Sequence, residues 1–134
     1  LNNILAKIQA NYANVDAAIM LDHQGFVAEL NDTNMFMTKN GKLYTPFADA
    51  CLPGITRGLV MELAHKDGIE CEERNLSLVD FYNADQAFAT GTIGELKPIV
   101  EIDGRKVENN FTKNILEILN NSFKASIPSL CEKL

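Results

Sequence analysis

The chain contains no apolar run near the roughly 18 residues that a membrane span needs, and no basic-then-apolar leader opens it. It is short of positive charge: 12 basic residues against 18 acidic ones leave a net charge of −6. That balance argues against nucleic acid or an anionic membrane as the main partner. Cysteine is scarce and odd in number. Cys51, Cys71 and Cys131 are widely spaced and match neither a disulfide framework nor a zinc motif, which points to a reducing, cytoplasmic setting. The two histidines, His23 and His65, have no nearby ligand partners at metal spacing, so neither a metal site nor a catalytic base is expected of them. Repeats, linkers and low-complexity tracts are missing too. So is an initiator methionine: Leu1 leads straight into an apolar helical pattern, as in a processed or excised piece.

What is present is enough for one globular domain over residues 1–134, with 46% hydrophobic and 22% charged residues. Leu1, Ile4, Leu5, Ile8 and Tyr12 recur at helical spacing. Short strands follow at Ala17–Leu21 and Phe26–Leu30 around the turn Asp22 to Gly25. Asn40-Gly41 between Met35–Lys39 and Lys42–Thr45 marks a tight hairpin, because both central residues of a type I′ turn need positive φ. Ile55, Leu59 and Leu63 describe a helix that Gly68 ends. Ile69–Arg74 is read as an edge strand, and Ser77 with Asp80 as a capping box. Gln86–Thr90 and Leu96–Ile102 are further strands, with a second hairpin turn at Asp103-Gly104. A last helix runs through Phe111, Ile115, Leu119 and Phe123, with Asn110 as its candidate cap. Pro128 is expected to limit that helix, leaving 126–134 as a loose tail. The expected fold is mixed α/β (α+β), with mostly antiparallel strands and helices around them.

Three segments have chemical potential. In Leu52-Pro53-Gly54-Ile55-Thr56-Arg57 a turn feeds a helix, whose free N–H groups and positive dipole end suit a phosphate; a plain Pro-Gly turn with Thr56 as a helping cap is the simpler alternative. Thr90-Gly91-Thr92-Ile93-Gly94-Glu95 leaves a strand with amides and hydroxyls for a second anion, or is just a tight connection. Glu29 shares a strand face with Val27 and would need a cationic or hydrogen-bonding partner there, unless it is an exposed edge carboxylate.

In order and spacing these segments resemble the class IV aminotransferases, pyridoxal-phosphate enzymes that include the branched-chain amino acid aminotransferases. The resemblance rests on Asn2 to Lys7, Asp22 to Glu29, Asn34-Met35-Phe36, Asn40 to Pro46, Cys51 to Arg57, Ala84-Asp85, Thr90-Gly91-Thr92 and Ile102 to Arg105. It implies a fold type IV pseudo-barrel, the C-terminal domain of a two-domain enzyme that acts as a homodimer on an amino acid and a 2-oxo acid. By the same resemblance the cofactor is pyridoxal 5′-phosphate. Glu29 corresponds to the partner of its ring nitrogen, and Leu52 to a residue packed on the ring. Gly54, Ile55 and Thr56 correspond to the phosphate cup, Thr92 to a second phosphate ligand, and the amides of Thr92 and Ile93 to the substrate-carboxylate turn.

The family's Schiff-base lysine lies a few residues before the position of Leu1, and none of Lys7, Lys39, Lys42 and Lys97 matches it. The resemblance therefore implies that the intact protein is a transaminase while this chain alone is inactive. Leu30 stands where the family commonly has a small or hydroxyl residue, Asp32 where it has glycine or alanine, and Gly94 where it has alanine; these departures bear on the substrate and leave the cofactor assignment standing. Branched-chain transamination is the favoured reading. A D-amino acid aminotransferase or an aminodeoxychorismate lyase on the same fold, and a non-catalytic anion-binding module with Met20, Met35, Met37 and Met61 on an apolar surface, are the alternatives.

Overall fold

The computed structural model describes residues 18–30, 33–47, 55–90, 96–107 and 114–132, with the backbone alone at Ile55, Thr56 and 126–132. The first-helix reading over residues 1–12 falls outside them. Strands β1 (Ile19–Leu21) and β2 (Val27–Leu30) form an antiparallel pair with Met20 opposite Glu29. Their turn is built by Asp22, whose carboxylate accepts hydrogen bonds from the Gln24 and Phe26 amides at 2.9 and 3.0 Å.

A five-stranded sheet forms the centre. It contains β3 (Asn34–Lys39), β4 (Lys42–Thr45), β5 (Cys71–Glu73), β6 (Gln86–Thr90) and β7 (Lys97–Pro98), in the order β5-β4-β3-β6-β7. All neighbours are antiparallel except β4 and β5. The β3–β4 hairpin turns through Asn40 at φ 53° and Gly41 at φ 79°, the two positive values expected from the Asn-Gly pair. Its tip is anchored from outside the hairpin: the Asn40 amide donates to the Asp85 carboxylate at 2.9 Å, and the Lys39 ammonium to the Asn83 carbonyl at 2.8 Å.

Three helices accompany the sheet: α1 (Ile55–Lys66), α2 (Leu78–Tyr82) and α3 (Ile115–Glu132). The Ser77–Asp80 capping box opens α2 as expected. A second hairpin, β8 (Glu101–Ile102) and β9 (Arg105–Lys106), turns at Asp103 and Gly104, both with positive φ. The overall class, mixed α/β with mostly antiparallel strands, is the expected one.

Alternation along β3 explains why nearly every residue in it is buried. Phe36 faces a core of Leu43, Val60, Leu63, Phe88, Ile115, Leu119 and Phe123, contributed largely by α1 and α3. Met35 and Met37 face a second core with Val27, Leu30, Leu76, Phe81 and Ile102. A strand covered on both faces reads as a continuous apolar run. Phe36 and its cross-strand partner Phe88 stack with centroids 5.2 Å apart and planes 3° apart, an arrangement worth about 1 kcal/mol beyond burial. Met35 and Met37 are therefore core residues and not an interaction surface.

Several expected boundaries are corrected. The single strand over Leu96–Ile102 is two, β7 and β8, divided at Ile99–Val100. Pro98 lacks an amide for continued pairing, and it sits on the sheet's outermost strand, where that loss is tolerated. The edge strand within Ile69–Arg74 is shorter, only Cys71–Glu73. Asn114, not Asn110, caps the last helix: its side-chain oxygen accepts from the Glu117 amide at 3.1 Å, three residues on. Asn110 itself lies outside the described residues. Pro128 does not end that helix, since helical backbone continues to Glu132 and replaces the expected loose tail over much of its length. Proline's fixed φ is close to the helical value, so it removes one amide from the ladder without forcing the chain out of it. No helix among the described residues is long and apolar enough to cross a membrane.

Candidate functional site

Six element ends meet at one end of the central sheet. Asn34, the first residue of β3, is opposite Thr90, the last of β6. The β2–β3 connection closes there through the Leu30 amide, which donates to the Thr33 carbonyl at 2.9 Å, so Glu29 lies one residue from this corner. The Thr45 hydroxyl, at the end of β4, donates to the Met35 carbonyl at 2.8 Å. Parallel pairing brings Glu73, the end of β5, beside Thr45. The start of α1 is held to the same place by Arg57, which donates to the Pro46 carbonyl at 2.9 Å and ion-pairs with Glu73 at 3.2 Å.

Glu29 is half-buried between the buried Ala28 and Leu30. It is not an exposed carboxylate, and Met20 of β1 lies opposite it. Ile55 and Thr56 occupy the first two positions of α1, as the helix-start reading requires, with only their backbone described. The first turn of α1 contains no acidic residue, so its free amides face no competing carboxylate of their own. Leu52, Gly54, Thr92 and Ile93 lie outside the described residues.

Sequence reasoning placed Thr90 at the head of a Gly-Thr segment able to offer hydroxyls to an anion, but did not single it out as a site residue. Its hydroxyl is fully buried with no hydrogen-bond partner among the described residues, and so is that of Thr33, which precedes the cross-strand neighbour of Thr90. Buried polar atoms are nearly always satisfied, and two orphans at one corner fit a ligand with oxygens to share. The pattern of polar residues at a strand end was the only signal available for either. Together with a start of α1 that has no acidic residue in its first turn and a carboxylate on β2, these hydroxyls fit a cofactor that has both an anionic group and a basic ring nitrogen. The histidines contribute nothing here: His23 and His65 are exposed. Among the described residues no group of three metal-ligating side chains forms.

Away from this corner, a cavity of about 380 Å³ lies between α1 and β5, lined by Lys42, Met61, His65, Glu70 and Cys71. Burial pushes the Cys71 thiol up to about 11, against a weaker opposing pull from the Arg57 charge. A thiol so protonated is a poor nucleophile at neutral pH.

The sequence pattern of amino-transferase class IV matches residues 1–102. The chain is 54% identical over 124 residues to branched-chain-amino-acid aminotransferase-like protein 2 of Arabidopsis thaliana, covering 92% of this chain and 22% of that one. It is 50% identical over 125 residues to a putative branched-chain-amino-acid aminotransferase of Methanocaldococcus jannaschii, covering 92% and 43%. Among solved structures it superposes with a TM-score of 0.87 on a T.th. branched-chain amino acid aminotransferase complexed with N-(5′-phosphopyridoxyl)-L-glutamate, at 32% identity, over 94% of this chain and 43% of the other. The Escherichia coli branched-chain aminotransferase gives 0.86 at 32% identity, over 92% and 42%. The chain thus spans less than half the length of each of these relatives.

Proposed function

From the premise that this chain belongs to the class IV aminotransferases, we propose that it is the C-terminal, cofactor-holding part of a transaminase that moves an amino group between a branched-chain amino acid and a 2-oxo acid. The observation that carries the reading is the meeting of Glu29, the start of α1 and the end of β6 at one sheet corner. Support for the substrate class comes from the relatives, which are named for branched-chain amino acids. Support for the cofactor comes from solved neighbours that hold its phosphopyridoxyl and pyridoxamine forms.

Each residue has a physical task in this reading. Pyridoxal phosphate, when bound, supplies an electron sink for the electron pair left at the substrate Cα. Glu29 holds a proton on the ring nitrogen, which keeps that sink deep. Gly54, Ile55 and Thr56 present helix-start amides and a hydroxyl to the phosphate, and Thr92 adds a second hydroxyl. Leu52 packs on the ring. The Thr92 and Ile93 amides receive the substrate carboxylate and so fix which Cα bond lies over the ring.

In this reading the Schiff-base lysine belongs to the remainder of the protein and the isolated chain is inactive, which its span of 22–43% of these relatives supports. The intact enzyme works in the cytoplasm as a homodimer in this account. The test is the natural protein's own sequence: a lysine a few residues before Leu1, preceded by another domain, supports the reading. A start codon directly before Leu1 sinks it, in favour of a non-catalytic anion-binding module.

A further inference from the structure

Arg57 sits in the first turn of α1, yet it does not face outward as a phosphate-binding arginine would. Its side chain is 8% exposed. One terminal nitrogen, Nη2, lies 2.9 Å from the Pro46 carbonyl and 3.2 Å from the Glu73 carboxylate. Burying a guanidinium is costly unless its charge is matched, and Glu73 matches it from the end of β5. The register sets Glu73 beside Thr45, the residue before Pro46, so a single side chain gathers the ends of two adjacent strands and the start of a helix.

We infer that Arg57 is a positioning residue for the cofactor phosphate: its guanidinium fixes the first turn of α1 against the ends of β4 and β5, and so sets where the helix-start amides point. The inference rests on the functional reading above, which puts the phosphate at those amides. Its charge is matched within the protein, so it acts through the helix and not as a ligand. Residues 48–54 lie between its two attachment points, Pro46 and α1, and that stretch includes Leu52 and Gly54 of the proposed site. Lysine is no substitute. Its ammonium is a compact, strongly hydrated point charge, costlier to bury than a guanidinium at a position only 8% exposed.

The test compares pyridoxal 5′-phosphate with pyridoxal, which has the same ring and no phosphate, as ligands of the cofactor-free intact protein. Arg57→Lys is expected to lower affinity for the phosphorylated form about tenfold while affinity for pyridoxal stays within about twofold. Glu73→Gln, at a partly exposed position, keeps an acceptor for Nη2 while removing the charge, and shifts the same ratio in the same direction by about threefold. It decides the question if Arg57→Lys fails to fold. An unchanged ratio in a folded variant overturns the inference, and so does an equal loss for both ligands, which is general loosening. If the unsubstituted protein itself binds the two forms equally, the phosphate is not at α1, and it is the functional reading that falls.

Discussion

Asn34 and Thr90 face one another where β3 begins and β6 ends, and the Thr90 hydroxyl is buried there without a hydrogen-bond partner among the described residues. An orphaned buried hydroxyl costs stability, whereas a methyl of the same shape does not. Thr90→Val should therefore raise the stability of the cofactor-free protein by about 1 kcal/mol, read as a higher urea midpoint. If the hydroxyl serves the bound cofactor, the same change lowers cofactor affinity by about threefold or more. A drop in stability without the cofactor would show that the hydroxyl has a structural partner.

Glu29 acts on ring electronics more than on binding in this account, because its charge is directed at the nitrogen and not at the phosphate. In the intact enzyme Glu29→Ala should slow the amino-acid half-reaction by about a hundredfold or more, with cofactor affinity reduced less than about tenfold. Stopped-flow spectra and a cofactor titration measure the two separately. Equal losses in both would reduce Glu29 to a binding residue.

On the proposed reading, no lysine of the 134-residue chain is the Schiff-base lysine. Treated with pyridoxal phosphate and then borohydride, the isolated chain should show no adduct confined to one lysine when its peptides are mapped by mass spectrometry. A stoichiometric adduct at a single site would mean that this chain carries its own covalent attachment point.

Cys71 gives a pH signature. Its thiol is raised from 9.0 to about 11 by burial, so the folded state holds a proton that the unfolded chain releases earlier. Its contribution to stability is fully present below pH 9 and declines between pH 9 and 11. With Cys51 and Cys131 replaced by serine, iodoacetamide should alkylate the native protein slowly at about pH 8 to 9 and quickly once urea unfolds it. Rapid native alkylation at about pH 8 would contradict the buried, protonated thiol.

Much of the fold was readable wherever short-range chemistry decides the backbone. The Asn40-Gly41 and Asp103-Gly104 turns, the Ser77–Asp80 box and the limits of β4 and β6 follow from local residue types, and the structure has them in place. What sequence missed depends on neighbours far along the chain. Pro98 and the split after it make sense only once β7 is known to be the outer strand beside Phe88. Asn114 is the cap because the helix begins at Ile115, and the Gln86 side chain, which accepts from the Leu116 amide at 3.2 Å, helps fix that start from another strand. The proposed site rests on residue types in order, through the family resemblance, and the Thr90 hydroxyl was part of one of those segments. The burial of that hydroxyl and of the Arg57–Glu73 pair was not legible, because both exist only after the sheet ends have been brought together.

The central claim is that this chain holds the cofactor of a branched-chain transaminase, and amino-group transfer tests it most directly. The intact protein, supplied with pyridoxal phosphate, is given 15N-labelled L-leucine and unlabelled 2-oxoglutarate, and the glutamate formed is examined by mass spectrometry. The account predicts labelled glutamate together with the 2-oxo acid of leucine. Unlabelled or absent glutamate, in a preparation that binds the cofactor, would contradict it.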